Sequence, residues 1–399
     1  MLSISDECRF TWDEAGENLA VCPLGVPAEL SVLSAQDLAA LEEIERQRSP
    51  TMESVIAALS RRGANQVARE TLSGLGNRGV VIEVDRVQAR DEFYTPMIYY
   101  QMLTDPLKMD AYVRALERAV KPGMTVLDAG AGLGIFGILA ARLGAKSVWA
   151  IENRPVINIA RQLADANGVG AAMRFLRGDL FDPEIATQVG KVDLVVSEFI
   201  GDEIFDEGIL AKSVWMRDSF LGGAGSLLPR RLQAFFVPIE CQVAATRQHN
   251  KVQNVQHVAR QYDIDLGAVV EMVITEGLRN DFSDRLYVPS FAEISTEEMR
   301  LLAEPTMFFD MQLDECNSAF VISKSSVEAT SHGRLDGVLL FFTVHLDDEV
   351  NFSSAPWLRR THWPQIIYLA RGARRVDAGD AIRVSIAYTG GKGLCVSIN

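Results

Sequence analysis

The sequence has little of the chemistry from which metal centres and disulfide frameworks are built. Its 399 residues include only five cysteines and five histidines. The cysteines are odd in number and widely spaced, and neither a CxxC pair nor an HExxH motif is present. Disulfide scaffolds and zinc sites depend on such clustered residues. The sequence therefore predicts neither a disulfide framework nor a metal centre.

Positive charge is also in short supply. Lysine and arginine number 39 against 53 aspartates and glutamates, a formal net charge of −14. A surface that binds nucleic acid normally needs a basic face, so no nucleic-acid partner is expected. The acidity would suit a cationic substrate, although it equally serves solubility.

Long hydrophobic runs are missing as well. No uninterrupted apolar stretch approaches the roughly 18 residues of a membrane span. The first residues, MLSISDECRFTWDE, lack the basic and apolar regions of a signal peptide. We therefore expect a cytoplasmic protein that does not enter the membrane.

Residues 1–88 have the pattern of a small N-terminal α/β domain. Two strand-like runs, CRFTW and LAVCPL, flank the turn-rich segment DEAGEN. Three helical patterns follow between residues 35 and 75, and the strand VVIEV (80–84) closes the unit. This order resembles a winged-helix module, but the few arginines in the helical region do not make a basic recognition helix. Packing or partner contact is favoured over nucleic-acid binding.

Residues 89–227 alternate regularly between helix and strand. The apolar runs TVLDAG, SVWAIE and VDLVVSE are separated by helical patterns of about 10–15 residues, which predicts a parallel sheet covered on both faces. From 228 to 399 the strand-like runs are separated by turns, which predicts a C-terminal β-barrel or sandwich. Helical patches near 251–262 and 294–303 interrupt it.

A glycine-rich turn follows the strand TVLDAG. Asp128 stands at the end of the strand, and the turn contains Gly130, Gly132 and Gly134 before a helix begins. Glycines there let the backbone approach a ligand closely. Glu152 ends the next strand, 22 residues after Gly130, where a carboxylate can accept both hydroxyls of a ribose. The complete set favours ligand binding over a simple tight turn.

The spacing of these glycines is GxGxG, with an acid two residues before the first. This resembles the Rossmann-like class I S-adenosylmethionine methyltransferases more than a dinucleotide site. The resemblance implies S-adenosyl-L-methionine as cofactor, S-adenosyl-L-homocysteine as product and no metal. It places Asp179 near the adenine.

An acidic stretch follows the strand VDLVVSE, at the end of the sheet where open α/β folds place their sites. Glu198 and Glu207, with eight residues between them, could grip a guanidinium, a planar fork of five N–H donors. By themselves they could equally cap the next helix. The other acids, Asp202, Glu203 and Asp206, are expected to face solvent or to cap that helix.

Three separated motifs resemble those of the protein arginine methyltransferases over roughly residues 90–399. SEFIGDEIFDEGIL resembles the loop that carries two glutamates, MLTD (102–105) resembles Met-Leu-x-Asp, and THW (361–363) resembles the Thr-His-Trp loop. The resemblance implies methyl transfer to a guanidino nitrogen. It implies that Glu198 and Glu207 bind the acceptor and that Asp105 pairs with His362, which would be catalytic or purely structural.

Other roles are implied by the same resemblance. Met102 would flank the transferred methyl group, and Lys108 would bind the cofactor's carboxylate where the family has an arginine. A helical arm near 247–275 implies a homodimer. The residues predicted on the acceptor side are Trp363, Arg359, Arg360 and Tyr99.

The acceptor itself is left open between two classes. Arg359 and Arg360 would repel basic peptides and could bind the α-carboxylate of free L-arginine, although they could as well be solvated or paired with acids. The aromatic helix before residue 102 also departs from the family's spacing. These features slightly favour free L-arginine or a small guanidino metabolite over a protein or peptide arginine. A more distant alternative is a non-catalytic protein that senses S-adenosylmethionine.

Overall fold

The fold is described from a computed structural model of the chain. The structure describes residues 2–5, 8–13, 15–23, 30–47, 50–61, 67–83, 96–267, 269–270, 285–288, 299–359, 361–390 and 393–399. Arg360, the end of the predicted arm (271–275) and the first half of the predicted helical patch (294–298) lie outside these residues.

The N-terminal unit combines short strands with three helices. Its strands are β1 Leu2–Ile4, β2 Cys8–Trp12, β3 Leu19–Pro23, β4 Ser31–Val32 and β5 Val81–Glu83. Its helices are α1 Ala35–Arg46, α2 Met52–Arg61 and α3 Val67–Asn77. A capping box between Ser34 and Asp37 starts α1. The predicted hairpin is the antiparallel pair β2 and β3.

The central part of the chain forms a five-stranded parallel sheet. Its strands are β6 Thr125–Ala129, β7 Ser147–Glu152, β8 Met173–Arg177, β9 Val192–Ser197 and β10 Leu221–Leu228. The helices around it are α4 Pro96–Leu103, α5 Pro106–Ala119, α6 Ile135–Arg142, α7 Ile157–Ala166, α8 Pro183–Val189 and α9 Ile209–Phe220. The strand order is β10-β9-β6-β7-β8. The order reverses between β6 and β9, and ligands of open α/β sheets bind at such a switch point.

The C-terminal part consists mostly of antiparallel strands, in the region where a β-barrel or sandwich was predicted. It contains the long helix α10 Gln242–Tyr262 and ten strands among the described residues: β11 Arg231–Cys241, β12 Arg285–Val288, β13 Met299–Leu301, β14 Thr306–Gln312, β15 Phe320–Glu328, β16 Gly333–His345, β17 Asn351–Ser353, β18 Gln365–Val376, β19 Ala381–Thr389 and β20 Leu394–Ile398. Seven of these strands form one sheet, and β15, β19 and β20 form a second.

One sequence-based prediction in this region is wrong. Residues 299–303 were expected to continue a helical patch, yet Met299–Leu301 form β13 and pair with β11. The antiparallel partner strand supplies backbone hydrogen bonds that a local helical pattern cannot reveal.

Two of the three hydrophobic clusters among the described residues join separate parts of the chain. The larger core joins the parallel sheet to the barrel through side chains such as Leu232 and Trp363. The smaller one joins the N-terminal helices to the second sheet of the barrel, where Phe320 and Cys395 pack with Leu41 and Leu72. The N-terminal unit is therefore part of the barrel's packing. None of the helices in the described part of the chain is long and apolar enough to cross a membrane.

Candidate active site

A cavity of about 490 Å³ opens at the carboxyl edge of the parallel sheet. The turns that follow β6, β7, β8 and β9 all contribute to its lining. Nine of the predicted site residues line it: Met102, Gly130, Gly132, Glu152, Asp179, Glu198, Glu207, Tyr99 and Lys108. The structure thus brings these nine residues together around one cavity.

Two of the three predicted glycines face the cavity. Gly130 and Gly132 have positive φ angles of 70° and 51°. A Cβ on Gly130 would lie 2.4 Å from Cε1 of Phe199, so no larger residue fits there. Gly134 begins α6, and its missing Cβ leaves room for Ala160 on α7. The first two glycines therefore shape the cavity, whereas the third serves helix packing.

Glu152 closes the glycine turn from the side of β7. Its two oxygens accept hydrogen bonds from the backbone N–H groups of Gly132 (3.0 Å) and Arg154 (2.8 Å). Each carboxylate oxygen has capacity for a further donor, which the hydroxyls of a ribose can supply. Arg154 was not predicted, although its place two residues after Glu152 is a signal that could have found it.

Asp128 lies beneath the turn rather than in the cavity wall. It is 1 % exposed and accepts a hydrogen bond from the backbone N–H of Gly137 at 2.8 Å. Burial raises the pKa of its carboxyl to about 7, and the negative charge of Glu152 adds to this rise. Its contact in this structure is with the start of α6.

The aromatic ring of Tyr99 covers the glycine turn from the side of α4. A Cβ on Gly132 would meet Cε1 of Tyr99 at 3.4 Å. Burial raises the pKa of the Tyr99 phenol, and the carboxylates of Glu152 and Glu207 act in the same direction. Tyr99 therefore stands within the field of both the cofactor-side and the acceptor-side carboxylates.

Glu198 is held from several directions. Its Oε1 accepts the backbone N–H of Ile200 at 3.1 Å, and its Oε2 lies 3.3 Å from Nζ of Lys108. Both side chains of this ion pair are buried. The hydroxyl of Tyr112 donates to the carbonyl of Ser197 at 2.9 Å and so supports the end of β9. Glu198 is therefore held firmly before any ligand enters.

Lys108 lines the cavity and pairs its ammonium with Glu198. Its predicted role toward the carboxylate of the cofactor stays a prediction. The same Nζ lies 5.7 Å from the ring centroid of Trp363. Lysine is a compact point charge rather than a fork, and here that charge is directed to Glu198.

Glu207 lines the cavity beside a second lysine that sequence reasoning missed. The ammonium of Lys212, in the first turn of α9, donates to the backbone carbonyl of Glu207 at 2.6 Å. It also lies 3.9 Å from the ring centroid of Phe199. The only sequence signal for Lys212 was its position shortly after the second glutamate, at the start of a helix that leaves the sheet edge.

The loop of residues 198–207 is fastened to the barrel. Nε1 of Trp363 donates to the carbonyl of Ile200 at 2.7 Å. Phe205 is fully buried and its ring centroid lies 5.0 Å from that of Phe309 and 5.4 Å from that of Tyr388. The apolar residues between the acids therefore hold this loop against both the parallel sheet and the barrel.

The predicted pairing of Asp105 with His362 is present. Oδ2 of Asp105 lies 2.8 Å from both the backbone nitrogen and Nδ1 of His362. Asp105 also caps α5 by accepting the backbone N–H of Lys108. Burial raises the pKa of the Asp105 carboxyl, but hydrogen bonds from His362 and Lys108 outweigh it and the net shift is downward. The pair joins the cofactor-binding domain to the barrel.

Comparison with known families agrees with this geometry. A model described as the arginine methyltransferase oligomerization subdomain matches residues 237–393. A model of the ribosomal protein L11 methyltransferases matches residues 110–207, within the parallel-sheet part of the chain.

Individual relatives point the same way. Protein arginine N-methyltransferase 1 of Dictyostelium discoideum is 26% identical over 290 residues, which cover 71% of this chain and 79% of that protein. Protein arginine N-methyltransferase 6 of Xenopus laevis is 27% identical and covers 68% of this chain and 78% of its own length. The chain is therefore similar to protein arginine methyltransferases over 71% of its length.

Solved structures of this family share the fold. Arabidopsis thaliana protein arginine methyltransferase 10 superposes with a TM-score of 0.64 at 22% identity, over 76% of this chain and 92% of that one. The Trypanosoma brucei PRMT1 enzyme–prozyme heterotetrameric complex with AdoHcy gives a TM-score of 0.62 at 20% identity, over 75% of this chain and 92% of its own. These likenesses support a Rossmann-like methyltransferase domain followed by a barrel.

Three remaining predictions concern residues outside the cavity wall. Trp363 is 2 % exposed and packs in the junction between the sheet and the barrel. His362 lies beside it, at the domain boundary. Arg359 is exposed and does not line the described cavity. Their predicted roles toward a substrate stay predictions.

The expectation for the other acids of the loop is partly wrong. Asp202 is exposed, as expected, but Glu203 is only 2 % exposed and neither faces solvent nor caps a helix. Asp206 accepts the backbone N–H of Glu203, while α9 begins at Gly208 without a side-chain cap. The sequence predicts a solvated surface for such an acidic run. It does not show that the start of β20, 191 residues away, places the N–H of Leu394 next to Glu203. Among the described residues, no group of three or more histidines, cysteines or acids is arranged to hold a metal.

Proposed function

We propose that the protein methylates arginine side chains of proteins or peptides. The coarser activity is that of an S-adenosylmethionine-dependent arginine methyltransferase. The observation that carries the proposal is that Glu198 and Glu207 line the same cavity as Gly130 and Glu152. Acceptor glutamates and cofactor loop therefore share one enclosed space.

The residues present fit the cofactor. The cavity of about 490 Å³ is of the size that small-molecule sites have. Gly130 and Gly132 leave the turn open for close approach of a ligand, and Glu152 can accept hydroxyl donors. When bound, S-adenosylmethionine supplies an electrophilic methyl group on a positively charged sulfur.

The chain's own residues would prepare the acceptor. A guanidinium is always protonated near neutrality, so carrying it into a partly dry cavity needs fixed negative charge. Glu198, held by Lys108 and the N–H of Ile200, and Glu207 would bind its N–H groups with charge-assisted hydrogen bonds. This orients one nitrogen and directs its lone pair, so that catalysis is mostly positioning and electrostatics.

Glu207 is the group we propose for the proton that the acceptor loses. It lines the cavity, whereas His362 has its Nδ1 engaged by Asp105 at the domain boundary and lies outside the cavity wall. This leaves the Asp105–His362 pair a structural role in joining the two domains.

The relatives favour a different class of acceptor from the one that the sequence slightly favoured. They are named protein arginine methyltransferases, and none of the observations supports the slight preference for free arginine. That preference depended on Arg359, Arg360 and the altered aromatic helix, and Arg359 lies exposed outside the cavity. Arginine in a protein or peptide is therefore the acceptor we propose, and free arginine becomes an arm of the test.

We also propose a homodimer. The matched family model is that of an oligomerization subdomain. Val258 and Tyr262 near the end of α10, and Ile264 just beyond it, are 41 %, 62 % and 53 % exposed. Apolar side chains at such a helix end suit contact with a second copy. Light scattering that finds only monomer at micromolar concentration would contradict the dimer.

One experiment tests the function. Purified protein is incubated with methyl-labelled S-adenosylmethionine and an Arg-rich peptide, free L-arginine, a peptide in which lysine replaces every arginine, or no acceptor. We expect label in the Arg-rich peptide alone, with mass spectrometry locating it on arginine. Transfer to free arginine but not to peptide would replace the proposed acceptor, and transfer to no arginine acceptor would overturn the function.

A further inference from the structure

Glu203 lies between the two acceptor glutamates, in a loop whose backbone is strained. The next residue, Ile204, has a φ angle of +69°, in the left-handed region. A β-branched residue in that region is a genuine outlier. Such a conformation persists only where the surroundings hold it in place.

The residues on both sides of Ile204 are fixed to the barrel. Oε2 of Glu203 accepts the backbone N–H of Leu394, at the start of β20, at 2.9 Å. Phe205 packs between the rings of Phe309 on β14 and Tyr388 on β19. The backbone N–H of Glu203 is in turn bound by Asp206. The strained residue is therefore held between a hydrogen bond and an aromatic contact.

The strand that receives Glu203 is also held by the N-terminal unit. Cys395, the neighbour of Leu394 in β20, accepts a hydrogen bond from Nε1 of Trp12 at 3.2 Å. The side chains of Trp12 and Cys395 belong to the core that the N-terminal helices form with the second barrel sheet. A continuous set of contacts thus runs from β2 through β20 to the acceptor loop.

We propose that Glu203 is a positioning residue: its hydrogen bond to Leu394 fixes the loop so that Glu207 faces the cavity together with Glu198. The N-terminal unit supports this anchor through Trp12. The proposal rests on the proposed function, because it assigns Glu203 a part in presenting the acceptor glutamates. It also gives residues 2–83 a role in the reaction that needs no external partner.

The test compares Glu203→Ala with Glu203→Gln. Glutamine keeps an oxygen that can accept the Leu394 N–H, whereas alanine removes it. Asp202→Ala is the matched control, since Asp202 is the exposed neighbour in the same loop. For each variant we would measure the thermal midpoint, the cofactor Kd by calorimetry, and kcat and KM for the Arg-rich peptide.

We expect Glu203→Ala to lower kcat by at least about tenfold, because misplacement of a catalytic group by about 1 Å costs up to 100-fold. Its cofactor Kd should stay within twofold, and Glu203→Gln and Asp202→Ala should keep most of the activity. Wild-type kcat in Glu203→Ala would overturn the proposal. So would an equal loss in the glutamine variant, or a loss explained by weaker cofactor binding.

A second variant covers the case in which Glu203→Ala does not fold. Trp12→Phe keeps the aromatic packing but removes the N–H group that donates to the carbonyl of Cys395. It should lower kcat by about two- to fivefold, because a single hydrogen bond between neutral groups is weak. The cofactor Kd should not change. An unchanged kcat in folded Trp12→Phe would overturn the support assigned to the N-terminal unit. If the wild-type protein transfers methyl to no arginine acceptor, the proposed function fails and this proposal with it.

Discussion

The two loops that meet in the cavity are built in different ways. The glycine turn at 130–134 is held by nearby parts of the same domain: Asp128 below it, Glu152 beside it and Tyr99 above it. The loop at 198–207 depends on remote segments, through hydrogen bonds from Trp363 and Leu394 and the packing of Phe205. The loop on the cofactor side is thus held by nearby residues, whereas the loop on the acceptor side is held by segments that are distant in the chain.

Because of this difference, changes to the molecule should affect the two sides of the cavity separately. A local turn does not depend on the domain attached to the sheet, so we expect cofactor binding to survive changes elsewhere. The acceptor loop is coupled to the barrel and to the N-terminal unit, so we expect changes there to alter how the two glutamates are presented. Changes on the acceptor side should therefore affect turnover, and changes on the cofactor side should affect cofactor affinity.

The largest effect is expected from Glu198→Gln and Glu207→Gln. Glutamine preserves the shape of the side chain but removes the negative charge that binds a guanidinium. We expect kcat to fall by about 100- to 1,000-fold, which is the range found when a single stabilising group is removed from an active site. The cofactor Kd, measured by calorimetry, should change little.

Asp202→Asn, in the exposed part of the same loop, is the control for those variants. It should keep full turnover. If both glutamine variants turned over at near-normal rates, the acceptor assignment would fail, whereas loss of cofactor binding in both would show that the two sides are not separable.

The difference between local and distant contacts also explains which features could be predicted from the sequence. The glycine turn, Glu152 and the alternation of strands and helices are local patterns, so the parallel sheet and the cofactor side followed from them. Glu198 and Glu207 were found through a motif rather than through physics alone, because a pair of acids at a strand end could equally cap a helix.

Contacts between distant segments were beyond sequence reasoning. Nothing near Glu203 in the chain indicates that the N–H of Leu394, 191 residues away, lies within 2.9 Å of its carboxylate. The pairing of Lys108 with Glu198 across 90 residues is of the same kind. The strand at Met299–Leu301 likewise owes its conformation to β11 rather than to its own pattern.

Glu152→Gln should give an intermediate effect on the cofactor side alone. A neutral amide loses the charge assistance of two hydrogen bonds to hydroxyls, worth about 1.5–3 kcal/mol, or roughly a 10- to 100-fold weaker Kd. The KM for the Arg-rich peptide, measured at saturating cofactor, should change by less than about threefold. Glu184→Gln on the exposed face of α8 is the control. A Glu152→Gln variant with a normal cofactor Kd would remove Glu152 from the site.

The smallest effect on turnover is expected from Asp128, which lies under the glycine turn and should influence stability rather than either ligand. Because burial raises the pKa of its carboxyl to about 7, the folded protein binds a proton more tightly than the unfolded chain does. The free energy of unfolding that Asp128 contributes is therefore fully present below about pH 4 and is lost as the pH rises toward 7. That loss amounts to at most about 4 kcal/mol.

Asp128→Asn removes the ionisation but keeps an oxygen that can accept the N–H of Gly137. Urea unfolding of the ligand-free protein between pH 4 and pH 8 should show the variant gaining stability relative to wild type as the pH rises. Asp110→Asn, an exposed position on α5, should show no such trend. A stability difference between Asp128→Asn and wild type that does not change with pH would mean that Asp128 ionises as easily in the folded protein as in the unfolded chain. The carboxyl of Asp128 would then be better solvated than its 1 % exposure indicates.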